Sequence, residues 1–207
     1  MDNSNLITTL FLDIGDVLLS NGWGHESRIA AAKAFNLNYD EMQSRHKLVM
    51  ATFEEGKITL SEYLNRVIFY KERSFTPENF SEFMFSQTTP NKEMIELIRK
   101  LKEKYHLKIV VINNESRELN KYRINKFQLN QFVDFFISSC FVHLRKPDAD
   151  IFQLALDIAH VSPENVLYIE DTQMFVDIAR NFGIRSILHI DHLSTSTELA
   201  SYGLSLG

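Results

Sequence analysis

The chain lacks most of what would place it outside the cell or in a membrane. Among 207 residues there is one cysteine, Cys140, so no internal disulfide can form. That fits a reducing, cytoplasmic compartment. Cys140 lies within the apolar run Phe135–Val142 and reads as a buried structural thiol rather than a nucleophile. No stretch approaches the roughly 18 consecutive apolar residues of a membrane span. Leu6 to Leu19 is apolar, but Asp13 and Asp16 interrupt it, so it does not read as a signal peptide. Basic residues are not in excess: 22 Lys and Arg against 27 Asp and Glu leave a formal net charge of −5. This argues against a nucleic-acid partner, which would need a basic face, and leaves room for a small anionic substrate. There is no internal repeat, low-complexity tract or long charge block.

What remains is an ordinary globular composition, with 44% apolar residues and 16 Phe to fill a core. Short runs rich in Ile, Val, Leu and Phe predict strands at Leu10–Ile14, Lys108–Ile112, Phe135–Ser138, Val166–Ile169 and Arg185–Ile190. Runs this apolar suit a parallel sheet covered on both faces. Helical patterns at Asn91–Tyr105, Ser116–Asn130, Asp148–His160 and Gln173–Phe182 alternate with the last four strands. That order predicts an α/β fold with a Rossmann-like parallel sheet. Residues 20–88 break the alternation. They carry helical patterns at Glu26–Phe35, Tyr39–Phe53, Thr59–Tyr70 and Pro77–Phe85 and no convincing strand. So long a connection predicts a small helical domain inserted into a core of residues 1–19 and 89–207. The alternative is that these helices pack directly on the sheet.

In open α/β sheets ligands bind beyond the C-terminal ends of the strands. The residues there are Asp13-Ile14-Gly15-Asp16, Asn113-Asn114, Arg145-Lys146-Pro147 and Glu170-Asp171. One aspartate after a strand is usually a cap or a turn; polar groups after four strands are harder to dismiss. Carboxylates this close need a cation or raised pKa values. Asp13, Glu170 and Asp171, with backbone carbonyls, form a hard-oxygen set suited to Mg²⁺. Lys146 supplies a compact positive charge, and Asn113 and Asn114 supply amide donors for phosphoryl oxygens. Together they describe phosphoryl transfer with covalent catalysis.

These residues resemble the haloacid dehalogenase superfamily over nearly the whole chain. The first motif is matched by Asp13-Ile14-Gly15-Asp16-Val17, the second by Ile112-Asn113-Asn114, the third by Arg145-Lys146-Pro147-Asp148 and the fourth by Ile169-Glu170-Asp171. The insert falls where capped relatives carry a helical cap. The resemblance implies Asp13 as nucleophile and metal ligand, and the Gly15 carbonyl and Asp171 as further ligands. Glu170 would lie beside the ion, and Lys146 would hold the nucleophile and the transferring group together. Two positions depart from the pattern. Gly15 replaces the usual acid/base aspartate, a loss that costs roughly 10²–10⁴-fold in rate. Asp16, His25 and Glu26 are candidate stand-ins. Asn113 replaces a hydroxyl residue.

The leading reading is a Mg²⁺-dependent phosphatase acting on a small phosphorylated metabolite, such as a sugar phosphate, through an aspartyl-phosphate on Asp13. A missing acid favours good leaving groups such as anomeric or acyl phosphates. One alternative is a dehalogenase, since halide needs no protonation; the carboxylate set built for a metal argues against it. Another is a catalytically degraded binding or regulatory protein that keeps the fold. A receiver domain is disfavoured by the long insert. Trp23, His25 and Arg28 are the insert residues placed to touch substrate, although packing roles are the commoner fate of such residues. Oligomeric state is not legible.

Overall fold

The computed structural model describes residues 6–207. Its centre is a sheet of β1 (Thr9–Leu12), β2 (Lys108–Asn113), β3 (Phe135–Ser138), β4 (Val166–Glu170) and β5 (Arg185–Leu188). All neighbours are parallel and the order is β3-β2-β1-β4-β5. The chain runs outward from β1 to β3 and then returns to place β4 on the other side of β1. The resulting switch point puts the ligand crevice at the C-terminal end of β1.

Both faces are buried, as such apolar strands require. Leu10, Leu12, Ile109 and Val111 share one cluster with Leu97 and Leu101 of α5 (Lys92–Tyr105) and Leu199 of α10 (His192–Ser201). Phe11, Val110, Ile112 and Tyr168 share the opposite cluster with Phe152 and Leu156 of α8 (Asp150–Ala159) and Ala179 of α9 (Gln173–Asn181). The alternation of Leu10, Phe11 and Leu12 between faces is the period of two expected for a strand.

Several boundaries differ from the sequence expectation. The first strand ends at Leu12 rather than Ile14, because the chain turns at once. Leu18 and Leu19 both donate to the Ile14 carbonyl, and Asp16 is left-handed at φ 50°. Ile14 is apolar because it is buried in that turn. The fifth strand ends at Leu188, and Ile190 is exposed. The helix expected over Ser116–Asn130 is α6 (Arg117–Lys126), stopped by a left-handed Gln128. Two helices went unread. These are the four-residue α7 (Ser139–Val142) and α10, whose Ser/Thr-rich sequence hides a capping box between Asp191 and Ser194.

Residues 20–88 form α1 (His25–Ala34), α2 (Tyr39–Glu54), α3 (Leu60–Val67) and α4 (Pro77–Ser86). Asn38, Thr59 and Thr76 cap the last three through their side chains. These helices bury Tyr63, Val67, Phe80 and Met84 against one another, in a cluster that shares no residue with the two sheet faces. Leu119 of α6 is the core residue that joins it.

The α2–α3 turn docks onto the core. Ser139 Oγ donates to the Glu54 carbonyl at 2.6 Å, and the His143 ring meets the Glu55 carbonyl at 2.6 Å. Gly56 is left-handed at φ 66°, and a Cβ there would lie 2.5 Å from the Cys140 carbonyl oxygen. Gly56→Ala therefore meets both a backbone penalty and a clash. A loss of about 1–3 kcal/mol is expected in a denaturant titration; a change inside ~0.5 kcal/mol contradicts the docking. Cys140 itself is buried, with its thiol pushed up to about 12 chiefly by burial, as a structural thiol should be.

Candidate active site

Asp13 leaves β1 with its backbone N–H donating to the Ile169 carbonyl at 3.0 Å, which extends the ladder one residue past the strand. Its carboxylate is buried. Lys146, also buried, reaches it from the β3–α8 connection: Nζ donates to Asp13 Oδ1 at 2.8 Å and to Glu170 Oε2 at 2.6 Å. It also lies 3.3 Å from Tyr168 Oη, which itself donates to Glu170 Oε2. Glu170 Oε1 accepts the Thr172 N–H at 3.0 Å. Both oxygens of Glu170 are therefore engaged, and Asp13, Glu170 and Asp171 line one cavity.

Lys146 is aimed by its own backbone. Asn114 accepts the Lys146 N–H at 2.8 Å and donates to its carbonyl at 2.7 Å. The expected amide donor for phosphate is thus engaged with the lysine loop instead. Asn113 needs a further correction, because it does not line the cavity. As the last residue of β2 it is buried opposite Ser138, accepting from Ser138 Oγ at 2.7 Å and donating to Asn120 at 3.1 Å. The pleat turns its side chain into the protein rather than towards a ligand.

Asp16 is likewise turned aside. Its Oδ1 accepts the Asn21 N–H at 2.8 Å, and with His25 and Glu26 it lines a neighbouring hollow, not the one holding Asp13. At Gly15 a Cβ would lie 3.4 Å from Asp13 Oδ2, so a side chain there would stand against that carboxylate oxygen. None of the three stand-ins reaches that position.

Around this centre is a cavity of about 230 Å³ lined by Asp13, Gly15, Asn114, Lys146, Glu170 and Asp171, and also by Glu54, Arg123 and Arg145. Sequence reading missed the last three as site residues. Arg145 donates to Glu54 Oε2 at 2.6 Å, tying the end of α2 to the core. Buried Arg123 pairs with Glu115 at 2.9 Å and donates to the Ser20 carbonyl at 2.6 Å. Arg145 and Glu54 are 91 positions apart and Arg123 and Ser20 are 103 apart, so no local pattern announces these contacts. Tyr168 had a signal: it precedes Glu170 by two residues on one strand and so shares its face.

The charges of the cluster suit a bound cation. Burial, opposed by Lys146 and reinforced by Glu170, pushes Asp13 up to about 6. Burial, a hydrogen bond with Glu170 and the charge of Asp13 push Asp171 up to about 7. Burial also pushes Glu170 up, but the charge of Lys146 and the hydrogen bonds of Asp171, Lys146 and Tyr168 together outweigh it and hold the group below the usual range. One carboxylate oxygen from each of the three lies within 4.8 Å of the other two. Such a hard-oxygen set fits Mg²⁺, with Asp13 and Asp171 the residues free to hold it.

A pH test follows. Without a cation, the raised Asp13 and Asp171 make the fold more stable in acid, and that stability is lost as pH climbs through about 6 and 7. Protons and Mg²⁺ compete for the same oxygens. The rise in melting temperature given by Mg²⁺ is expected to be larger at pH 8 than at pH 5; an equal rise removes these carboxylates as ligands.

The description "Haloacid dehalogenase-like hydrolase" belongs to the family model that matches residues 31–189. This chain is a member of that family. Asp13 precedes the matched stretch and is identified by its geometry. Bifunctional epoxide hydrolase 2 of Rattus norvegicus is 31% identical over 159 residues, covering 70% of this chain and 29% of that protein. A phosphorylated carbohydrates phosphatase of Thermotoga maritima is 26% identical over 138 residues, 67% of this chain and 59% of that protein. The chain thus spans under two thirds of the length of these relatives. A HAD family enzyme of Bacteroides thetaiotaomicron, solved with magnesium and inorganic phosphate, has the same fold: TM-score 0.73, 19% identity, 87% of this chain and 93% of that one. No described helix is long and apolar enough to cross a membrane.

Proposed function

We propose that this hydrolase is a Mg²⁺-dependent phosphatase of small phosphorylated metabolites, with α1–α4 as the cap over its site. The observation that carries the reading is the buried Lys146 bridging Asp13 and Glu170 beside a third carboxylate, Asp171. Asp13 Oδ2 attacks phosphorus as the ester P–O bond breaks, giving an aspartyl-phosphate that water then cleaves. Lys146 fixes Oδ1, so the attacking oxygen is Oδ2, and its charge opposes the negative charge gathering on the phosphoryl oxygens. When bound, Mg²⁺ supplies further neutralisation of that charge. Glu170 and Tyr168 hold Lys146; Asn114 holds its backbone. Nothing stands at Gly15 to protonate the leaving oxygen, so anomeric and acyl phosphates, whose leaving oxygens are weaker bases than an ordinary alkoxide, are the preferred class. The names of the Thermotoga and Bacteroides relatives point the same way.

Hydrolysis of 4-nitrophenyl phosphate with and without Mg²⁺ tests the reading. Metal-dependent turnover supports it, and none at any metal concentration rejects it. Dehalogenation shares Asp13 and is favoured by Gly15 alone; halide release from 2-chloropropionate in place of phosphate release would establish it.

A further inference from the structure

A second hollow, of about 230 Å³, lies inside the helical insert, and Asn21 and Glu54 border both it and the cavity holding Asp13. Its walls include Trp23, Arg28, His46 and Phe53. They are held rigid: Phe53 stacks on Tyr63 with ring centroids 4.1 Å apart, and Trp23 meets Phe80 edge-on at 5.7 Å.

The hydrogen bonds of these walls assign their protons. The Trp23 indole N–H can only donate, and it donates to Tyr63 Oη at 2.7 Å. The tyrosine's own hydrogen then goes to His46 Nδ1, 2.9 Å away. Burial, with Arg28 adding to it, pushes His46 down to about 3, so the ring is neutral and its single hydrogen sits on Nε2. That Nε2 is buried and has no hydrogen-bond partner. Arg28 is 8% exposed, and its bonds go to neutral acceptors, the Gln43 side chain at 2.8 Å and the Trp23 carbonyl at 2.5 Å. Among the described residues it forms no ion pair with a carboxylate. The acid nearest the hollow, Glu54, has its Oε2 held by Arg145. A buried guanidinium whose nearest opposite charge, Glu54, is bonded to Arg145 instead, and a buried N–H without an acceptor, are both costly, and one anion would relieve both.

We infer that this hollow is a subsite for a second anionic oxygen group, a carboxylate or a phosphate, carried on the leaving group of the phosphate ester, with Arg28 and the Nε2–H of His46 as its donors. The inference rests on the phosphatase reading and names its substrate class: phosphate esters with a further acid a few bonds from the scissile oxygen. Trp23 and Phe53 flank the carbon skeleton between the two charges.

Three anomeric phosphates that differ only at C6 provide the test: glucose 1-phosphate, glucuronic acid 1-phosphate and glucose 1,6-bisphosphate, with 4-nitrophenyl phosphate alongside. The native enzyme is expected to show kcat/KM at least about tenfold higher for one or both acidic sugars than for glucose 1-phosphate, as one charge-assisted contact provides. Which of the two leads separates the carboxylate from the phosphate. Arg28→Gln should bring that ratio close to one, and Arg28→Lys should keep part of it. Turnover of 4-nitrophenyl phosphate with no preference for the acidic sugars overturns the subsite and leaves the phosphatase standing. Equal losses on all sugars in Arg28→Gln, with the ratio intact, reduce Arg28 to a packing residue and overturn the subsite as well. Turnover of none of the four compounds removes the phosphatase reading and the subsite with it. The first comparison needs no variant, so the test survives if Arg28→Gln fails to fold.

Discussion

Asp13→Asn is expected to lower metal-dependent phosphate release by on the order of 10⁴-fold or more while the protein stays folded. Asparagine keeps the shape of the side chain but removes the charge that the proposed phosphatase needs for attack on phosphorus and for its metal. The fold survives because Lys146 keeps its bond to Glu170 Oε2 at 2.6 Å and its contact with Tyr168. Burial already disfavours the charge on Asp13, whose pKa is pushed up to about 6, so a neutral amide costs little in stability. Melting temperature and turnover should therefore part company. A variant that melts like the native protein and retains more than about a tenth of its rate would move the nucleophile to another residue.

Lys146→Met should fail in both respects. It leaves Asp13 and Glu170 buried and facing one another without a cation between them. Breaking a buried pair from one side costs about 3–5 kcal/mol, and here one lysine serves two carboxylates. The loss should be greatest near pH 8. It should shrink near pH 5, where the carboxyls take up protons instead of remaining as unpaired charges. Turnover should fall by roughly 10²–10³-fold even under conditions where the variant is folded, the scale of losing one preorganised electrostatic contact. Denaturant titrations at the two pH values, with Mg²⁺ withheld, check the first claim. An equal loss at both would mean that Lys146 is held by packing rather than by charge.

Much of this protein was open to sequence reasoning because the relevant signals are local. Apolar runs such as Lys108–Asn113 and Val166–Glu170 announce buried strands, and the polar residue after each must then lie at one sheet edge. That is why Asp13, Lys146, Glu170 and Asp171 could be grouped in advance and why they do converge. The helices of the insert were legible too, through the helical patterns at Glu26–Phe35, Tyr39–Phe53, Thr59–Tyr70 and Pro77–Phe85.

Failures came where a side chain's direction depends on partners far along the chain. Asn113 and Asn114 are adjacent and chemically alike, yet one is sealed against Ser138 and Asn120 while the other clamps Lys146. Asp16 looked like a spare acid until a left-handed turn at φ 50° gave its carboxylate to Asn21. Glu54 and Arg145 are separated by 91 positions and meet across the cavity. The sequence by itself determined the class of fold, the order of its strands along the chain and that Asp13, Lys146, Glu170 and Asp171 lie at one sheet edge, because these follow from periodicity and from where strands end. Only the tertiary structure decided which oxygen of Asp13 Lys146 holds and which amide clamps the lysine. It also left Arg28 without an ion pair among the described residues and His46 Nε2 without an acceptor, because hydrogen bonds and desolvation are settled by what packs alongside, not by what comes next in the chain.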